Sequence, residues 1–250
     1  MSVDIYSRDK KATFSDWKSV DSLSMGSGPL STLLSDARDR LCADALAAGV
    51  RLVISEAWQG LEQVNRANLS SWLPIMHQPN GSASFWIGAV DARGDVVGTQ
   101  AGVLLDCSTH SFGDKLSDLT FFYADPTEAA PGERCFCASN PAFETRGKVC
   151  YITAGWTHPR MRGMGLFHLI GRVVRILALA WWTPKWWVGM VAPETAPQWT
   201  EAKAGRRLLE ARPTILYQHP SAGYDYPPLR LLRFCRAGVV LDMQALIRQS

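Results

Sequence analysis

The sequence predicts a mixed α/β (α+β) fold, and three observations carry that reading. Segments of helical periodicity alternate with segments that read as strands, two strands are joined by a short glycine turn, and a further strand runs through a Gly- and Arg-bearing turn straight into a long apolar helix. The composition is that of a globular chain: 250 residues, 47% hydrophobic and 20% charged, with a mean hydropathy of -0.05. Disordered, collagen-like and membrane-bundle classes are disfavoured. One main domain with extensions is the expectation, divided as an N-terminal arm over 1–29, a domain over 30–220 and a C-terminal extension over 221–250.

Taken in order, the arm starts polar and aperiodic. From Ser31 to Gly49 the apolar residues Leu33, Leu34, Ala37, Leu41, Ala45 and Ala48 keep helical spacing, and a second helix is predicted from Glu56 to Trp72, stopped by Pro74,. The period then changes. Phe85–Asp91 reads as a strand, Ala92–Asp95 as a turn and Val96–Asp106 as the antiparallel partner. Leu119–Tyr123 is a further candidate strand, and 125–148, with three prolines, reads as a long loop or lid,. Cys150–Trp156 is a buried strand, Leu166–Trp182 a helix, Trp186–Val191 a strand, Pro197–Ala211 a helix and Thr214–Gln218 a strand. The last thirty residues are ambiguous between strand and helix, because Arg230, Arg233 and Arg236 recur every three residues.

Charge is uneven along the chain. Residues 151–250 hold 13 Lys/Arg against 5 Asp/Glu, so an anionic ligand is expected to meet this part,. The six cysteines follow no cationic, apolar signal segment, and a reduced cytoplasmic protein is expected,. The apolar run Leu166–Trp182 is interrupted by His168, Arg172 and Arg175, which favours a core-packed helix over a membrane span. Those three polar residues share one stripe, read as a solvated face, with attraction of a cofactor phosphate as its rival. Cys135-Phe136-Cys137 has the wrong spacing for structural zinc, and no metal is expected.

The most specific feature is Thr157–Phe167, THPRMRGMGLF. Glycines allow close backbone approach to a ligand, and the helix that begins at once offers unpaired N–H groups at its positive end. Such a turn suits an anion of the phosphate kind; an ordinary helix start with exposed arginines is the alternative. Two familiar phosphate motifs fail. The dinucleotide pattern needs a third glycine where His168 stands, and Gly147-Lys148 is followed by Val149 where a P-loop needs Ser or Thr.

This stretch resembles the acyl-CoA site of the GCN5-related N-acetyltransferase (GNAT) superfamily, in which a central strand leads through an Arg/Gln-x-x-Gly-x-Gly/Ala loop into a long helix. Arg160 to Gly165 matches the loop in full, whereas Arg162 to Phe167 keeps Pro159 in the family's proline position; the second alignment is preferred. Over roughly residues 30–220 the order of elements agrees with the family. The resemblance implies a mostly antiparallel central sheet flanked by helices and acetyl-CoA, or another acyl-CoA, as co-substrate. It implies contacts to that co-substrate from Trp156, Thr157, Arg162, Gly163, Met164, Gly165, Leu166 and Phe167.

The implied activity is N-acetyl transfer by direct attack of an amine in a ternary complex, the acceptor being a small-molecule or peptide amine. The family's tyrosine acid is missing, since Glu194–Ala211 contains no tyrosine. Glu194 and Tyr151 are the remaining catalytic candidates. Rival functions are transfer of a longer acyl group from CoA or acyl carrier protein, to which the dense tryptophans between Trp156 and Trp199 are suited, and a non-catalytic CoA-binding module. No nucleic-acid partner and no membrane span are expected, and a homodimer is compatible with the reading.

Overall fold

A computed structural model describes residues 16–220 and 225–248. Lys18–Ser19 forms a short edge strand, β1, and Val20 and Met25 after it are buried in the core, so the described part of the predicted arm is packed against the domain. Helix α1, Ser31–Ala47, buries Leu34, Ala37, Leu41 and Ala45, and Gly49 ends it in the left-handed conformation that glycine adopts without strain,. The chain turns directly into β2, Val50–Ser55, a strand absent from the sequence expectation. Helix α2, Trp58–Ala67, is shorter than predicted.

Strands β3, Ala83–Asp91, and β4, Val96–Cys107, form the expected hairpin. Its turn is fixed by Asp91, whose carboxylate accepts from the N–H groups of Arg93 (3.0 Å) and Asp95 (2.9 Å),. Helix α3, Phe112–Ser117, starts on a capping box of Ser111 and Asp114,. The strand predicted over Leu119–Tyr123 is a turn instead; its apolar residues are there because Phe121 and Phe122 fill the core from that turn. The predicted loop at 125–148 carries β5, Arg134–Cys137, and α4, Asn140–Glu144.

Next come β6, Gly147–Thr157; α5, Leu166–Trp182; and β7, Trp186–Val191. The helix predicted over Pro197–Ala211 shrinks to a 3-10 turn and α6, Glu201–Ala204, because Gly205 takes a positive φ with the Asp242 carboxylate where a side chain would be. Then follow β8, Leu208–Leu209; β9, Ile215–Gln218; β10, Arg230–Cys235; and α7, Arg236–Arg248. The ambiguous C-terminus is thus a strand followed by a helix. Of the predicted extension, residues 221–224 and 249–250 lie outside the described residues; β10 is an inner strand of the main sheet.

That sheet has eight strands in the order β1-β2-β3-β4-β6-β7-β10-β8, and β5 pairs with β9 in a second, two-stranded sheet. Among the described residues every strand pairing is antiparallel except β6 with β7. Two apolar layers cover the main sheet. Cys150 and Ile152 of β6 face the layer that contains residues of α1, α5 and α7, while the alternate Val149 and Tyr151 face the layer with α2 and α3,. The mixed, mostly antiparallel α/β architecture expected from the sequence is the one found.

Candidate functional site

The site is built where β6 leaves its neighbours. On the β4 side the register shifts between Thr99 and Ala101, so Gln100 faces two residues of β6, and Ala154 there takes a φ of 53°,. Thr99 Oγ1 donates to the Ala154 carbonyl at 2.8 Å and holds the bulge. On the other side, the parallel pairing with β7 ends at Tyr151 and Val188, although β6 continues to Thr157 and β7 to Val191. Past that register the two strands part, and a cleft of about 1030 Å³ opens, lined by Ile152–Thr157 and Gly189–Ala192.

At the end of β6 the chain makes a 3-10 turn over Pro159–Met161, with His158 N–H donating to the Val97 carbonyl at 2.9 Å. Gly163 (φ 84°) and Gly165 (φ 75°) then take the left-handed conformation that disfavours any side chain,. A Cβ at either would meet nothing within 4 Å, so the glycines are not required by crowding from this chain, and the space beside them is open. Leu166 is buried and anchors the first turn of α5 under the cleft. The N–H groups of that turn have no carbonyl one turn back in the helix, and they carry its positive end.

The residues predicted to contact the co-substrate or to act in catalysis line this one cleft: Tyr151, Trp156, Thr157, Arg162 to Phe167, and Glu194. Trp156 is buried, stacks on Trp72 (5.2 Å between centroids, 10° between planes) and donates from Nε1 to Ser71 Oγ at 3.3 Å. The Thr157 hydroxyl is buried with no hydrogen-bond partner, and so is Oε1 of Gln100. Unpaired buried acceptors are costly, and both belong to residues of the cleft wall,. Arg162 is exposed, with Nη2 donating to the Ser71 carbonyl at 3.3 Å and Nε to the Thr157 carbonyl at 3.4 Å. Arg160 points elsewhere, to Asp91 and Asp95 of the hairpin turn.

Tyr151 lies between Phe121 and Phe112, with ring centroids 4.9 and 6.2 Å away. Burial pushes its phenol well above the ordinary tyrosine value, so it stays protonated,. Glu194 is an exposed carboxylate on the opposite rim, just past β7. Trp199, in the segment that lacks a tyrosine, is buried edge-on against Phe167 and His168.

The predicted solvated stripe on α5 is not one. Arg175 is buried, with its guanidinium 4.4 Å over the Phe234 ring and Nη2 donating to the Ala204 carbonyl at 3.1 Å, because the C-terminal strand and α6 cover that side of the helix. His168 is half-buried, and Arg172 lines the cleft. Sequence reasoning also missed Gln100, the flank Trp72–Met76, Lys203 and Tyr226, all of them cleft residues. A glutamine inside the otherwise apolar run VVGTQAGVLLD was a usable signal; the flank and Tyr226 carried none.

A second polar centre stands nearby. The buried Glu133 carboxylate accepts from Tyr217 Oη (2.7 Å), Tyr123 Oη (2.8 Å) and the Ala130 N–H (3.1 Å), and His219 Nε2 lies 3.9 Å away, itself 3.3 Å from His77 Nε2. Burial opposes ionisation of Glu133, but those hydroxyl donors outweigh it and hold the carboxyl below its usual range. Cys135 of β5 is a buried thiol that burial raises to about 12. No cluster of three or more His, Cys, Asp or Glu able to hold a metal occurs among the described residues, and none of their helices is long and apolar enough to cross a membrane.

No family model matches the chain, and no curated protein does. Among solved structures it is similar to Arabidopsis thaliana NAA60 in complex with acetyl-CoA, at 15% identity and a TM-score of 0.45 over 76% of this chain and 99% of that one. It is also similar to a CoA-dependent acyl-homoserine lactone synthase, BjaI, with SAM and isopentyl-CoA (13% identity, TM-score 0.36, 66% of this chain and 64% of that one). FeeM, an N-acyl amino acid synthase from uncultured soil microbes, is similar at 12% identity and a TM-score of 0.36 over 88% of this chain and 91% of that one. The mostly antiparallel central sheet flanked by helices that the sequence resemblance implies is present in this chain's own strand order, with β6 parting from β7 and a glycine turn leading into α5.

Proposed function

We propose that the protein is an acyl-CoA-dependent N-acyltransferase that moves an acetyl group from acetyl-CoA to an amine by direct attack in a ternary complex. The observation that carries this reading is the meeting, in one cleft, of the β6–β7 opening with the glycine turn at the start of α5. A slot between strands offers backbone hydrogen bonds to an extended, amide-bearing arm, and a helix start with open space beside it offers N–H groups to a pyrophosphate. Gln100 and Thr157 supply unpaired acceptors along the way.

In this reading the pyrophosphate lies over Gly163 to Phe167, Arg162 adds a charge-assisted contact, and the pantetheine arm runs beside Trp156 and Thr157. The amine nitrogen attacks the thioester carbonyl; the C–N bond forms, the C–S bond breaks and its electron pair leaves on sulfur. The attacking nitrogen loses a proton to Glu194, through water, and the thiolate takes one from Tyr151. Burial keeps the Tyr151 phenol protonated, which suits it to donate, and Glu194 offers a carboxylate on the cleft rim,. The reduced thiols, all six of them unpaired, support a cytoplasmic setting,.

A longer acyl group is the second reading, favoured by the apolar flank of Trp72, Ile75 and Met76 beside the cleft. Turnover measured across acyl-CoA chain lengths separates the two. The donor reading itself is tested by isothermal titration with acetyl-CoA: Gly163→Asp should weaken binding at least ~10-fold by placing a negative charge beside the phosphates, whereas Gly163→Asn, which tolerates the same left-handed backbone, should bind more tightly than the Asp variant. Equal affinity in the two variants would remove the phosphates from this turn. Tight acetyl-CoA binding without turnover on a broad amine panel would leave a CoA-binding module instead.

A further inference from the structure

Beyond the glycine turn, α5 and α6 bring a second cationic feature to the same cleft. Arg172 lies seven residues past Gly165, about 10 Å along the helix at ~1.5 Å per residue. Its Nη2 donates to the Lys203 carbonyl at 3.2 Å, which seats the guanidinium beside α6 with most of its donors unspent,. Lys203 is exposed, and both residues line the cleft. Among the described residues neither forms an ion pair.

His168 stands between them and the glycine turn. Its ring is half-buried against Phe167 (5.1 Å) and Trp199 (5.5 Å), and it faces the Gln198 carbonyl. Burial first, then the charges of Arg175, Arg172 and Lys203, bring it down to about 4, so at neutral pH the ring carries no charge. Of the acids on the surrounding elements, Asp44 of α1 is held by Arg40 at 3.0 Å and Asp242 of α7 by Arg206 at 2.6 Å, Glu194 stands on the rim past β7, and Glu201 is exposed in the first turn of α6. Two cations, Arg172 and Lys203, therefore line the cleft beside this imidazole, while the buried Arg175 behind them feels the Asp242 carboxylate. Such crowding is unfavourable unless an anion completes it.

Resting on the donor reading above, we propose that Arg172, Lys203 and His168 form a phosphate-monoester subsite, occupied by the 3'-phosphate of a coenzyme A thioester. That phosphate is attached to the same ribose that carries the pyrophosphate, so a ligand seated on the glycine turn delivers it to the neighbouring turns of α5. A monoester brings close to two negative charges at pH 7. The subsite also selects the donor class. A carrier-protein thioester presents a phosphopantetheine with a single phosphodiester and no second phosphate, so the structure favours a free CoA thioester over a carrier-protein one.

The test is titration calorimetry with CoA and 3'-dephospho-CoA, on the wild type and on Lys203→Ala and Arg172→Gln. The wild type should bind CoA about 10- to 100-fold more tightly than 3'-dephospho-CoA, and each variant should bring that ratio toward one; reading a ratio within each variant cancels any general loss of folded protein. In the same samples the His168 ring, assigned by its loss in His168→Gln, should titrate at higher pH with CoA bound than with 3'-dephospho-CoA bound. Equal affinity for both ligands in the wild type would overturn the subsite while leaving the donor reading intact. Binding of neither ligand would overturn the donor reading, and the subsite with it.

Discussion

Arg160 Nη2 lies 2.6 Å from Asp91 Oδ2, an ion pair that ties the turn after β6 to the β3–β4 hairpin. The same carboxylate group organises the hairpin turn through two backbone N–H groups. Arg160 is thereby committed to the protein, whereas Arg162, two residues on, has only weak contacts to backbone carbonyls and faces the cleft. Of the two ways to lay the glycine motif on the chain, this geometry favours the one that starts at Arg162.

Arg162→Ala should cost about 1.5–3 kcal/mol of CoA binding through loss of a charge-assisted contact. Arg160→Ala should change CoA binding little and lower folding stability by no more than about 1 kcal/mol, as expected of a partly exposed ion pair. Calorimetry on both variants, with a thermal melt of each, checks the pair; a large binding loss at Arg160 with none at Arg162 would reverse the alignment.

Glu194→Gln should lower kcat by roughly 10- to 1000-fold with acetyl-CoA affinity kept, and Tyr151→Phe should do likewise. Tyr151, raised by burial, should stay a proton donor through the alkaline range. Steady-state rates with a true acceptor decide this, and full activity in both variants would assign the proton transfers to solvent.

Glu133 should make stability depend on acid. Its carboxyl is held below its unfolded value, so the stability it contributes is present above an unfolded pKa of about 4.3 and is lost as pH falls through the lower folded value,. Glu133→Gln should therefore destabilise the protein on the order of 1–3 kcal/mol at pH 7 and flatten the acid limb of the melting temperature below about pH 4.5. Denaturation followed from pH 3 to pH 7 gives the comparison; parallel acid limbs in the two proteins would contradict it.

Much of this fold was legible because its strongest signals are local. Leu166–Trp182 and Trp186–Val191 were bounded correctly, since the glycine turn, Pro184 and the apolar runs mark their ends,. What failed was decided at a distance. The turn at Leu119–Tyr123 looks like a strand because its phenylalanines are core residues, and Pro197–Ala211 looks like a helix because nothing in the sequence announces Asp242 beside Gly205. Arg175 read as solvated because its cover, Phe234 and Ala204, comes from later elements. The cleft was legible on its β6–α5 side, where the residues are contiguous. Its other wall was not, because Trp72, Gln100, Lys203 and Tyr226 meet there only through the fold.

The central claim is the seat of the donor, and a structure determined in complex with acetyl-CoA tests it most directly. The account predicts pyrophosphate oxygens within hydrogen-bond distance of the backbone N–H groups between Gly163 and Phe167, and a pantetheine arm in the opening between β6 and β7. An ordered acetyl-CoA with its pyrophosphate elsewhere, or a cleft that stays closed to it at saturating concentration, would contradict the account.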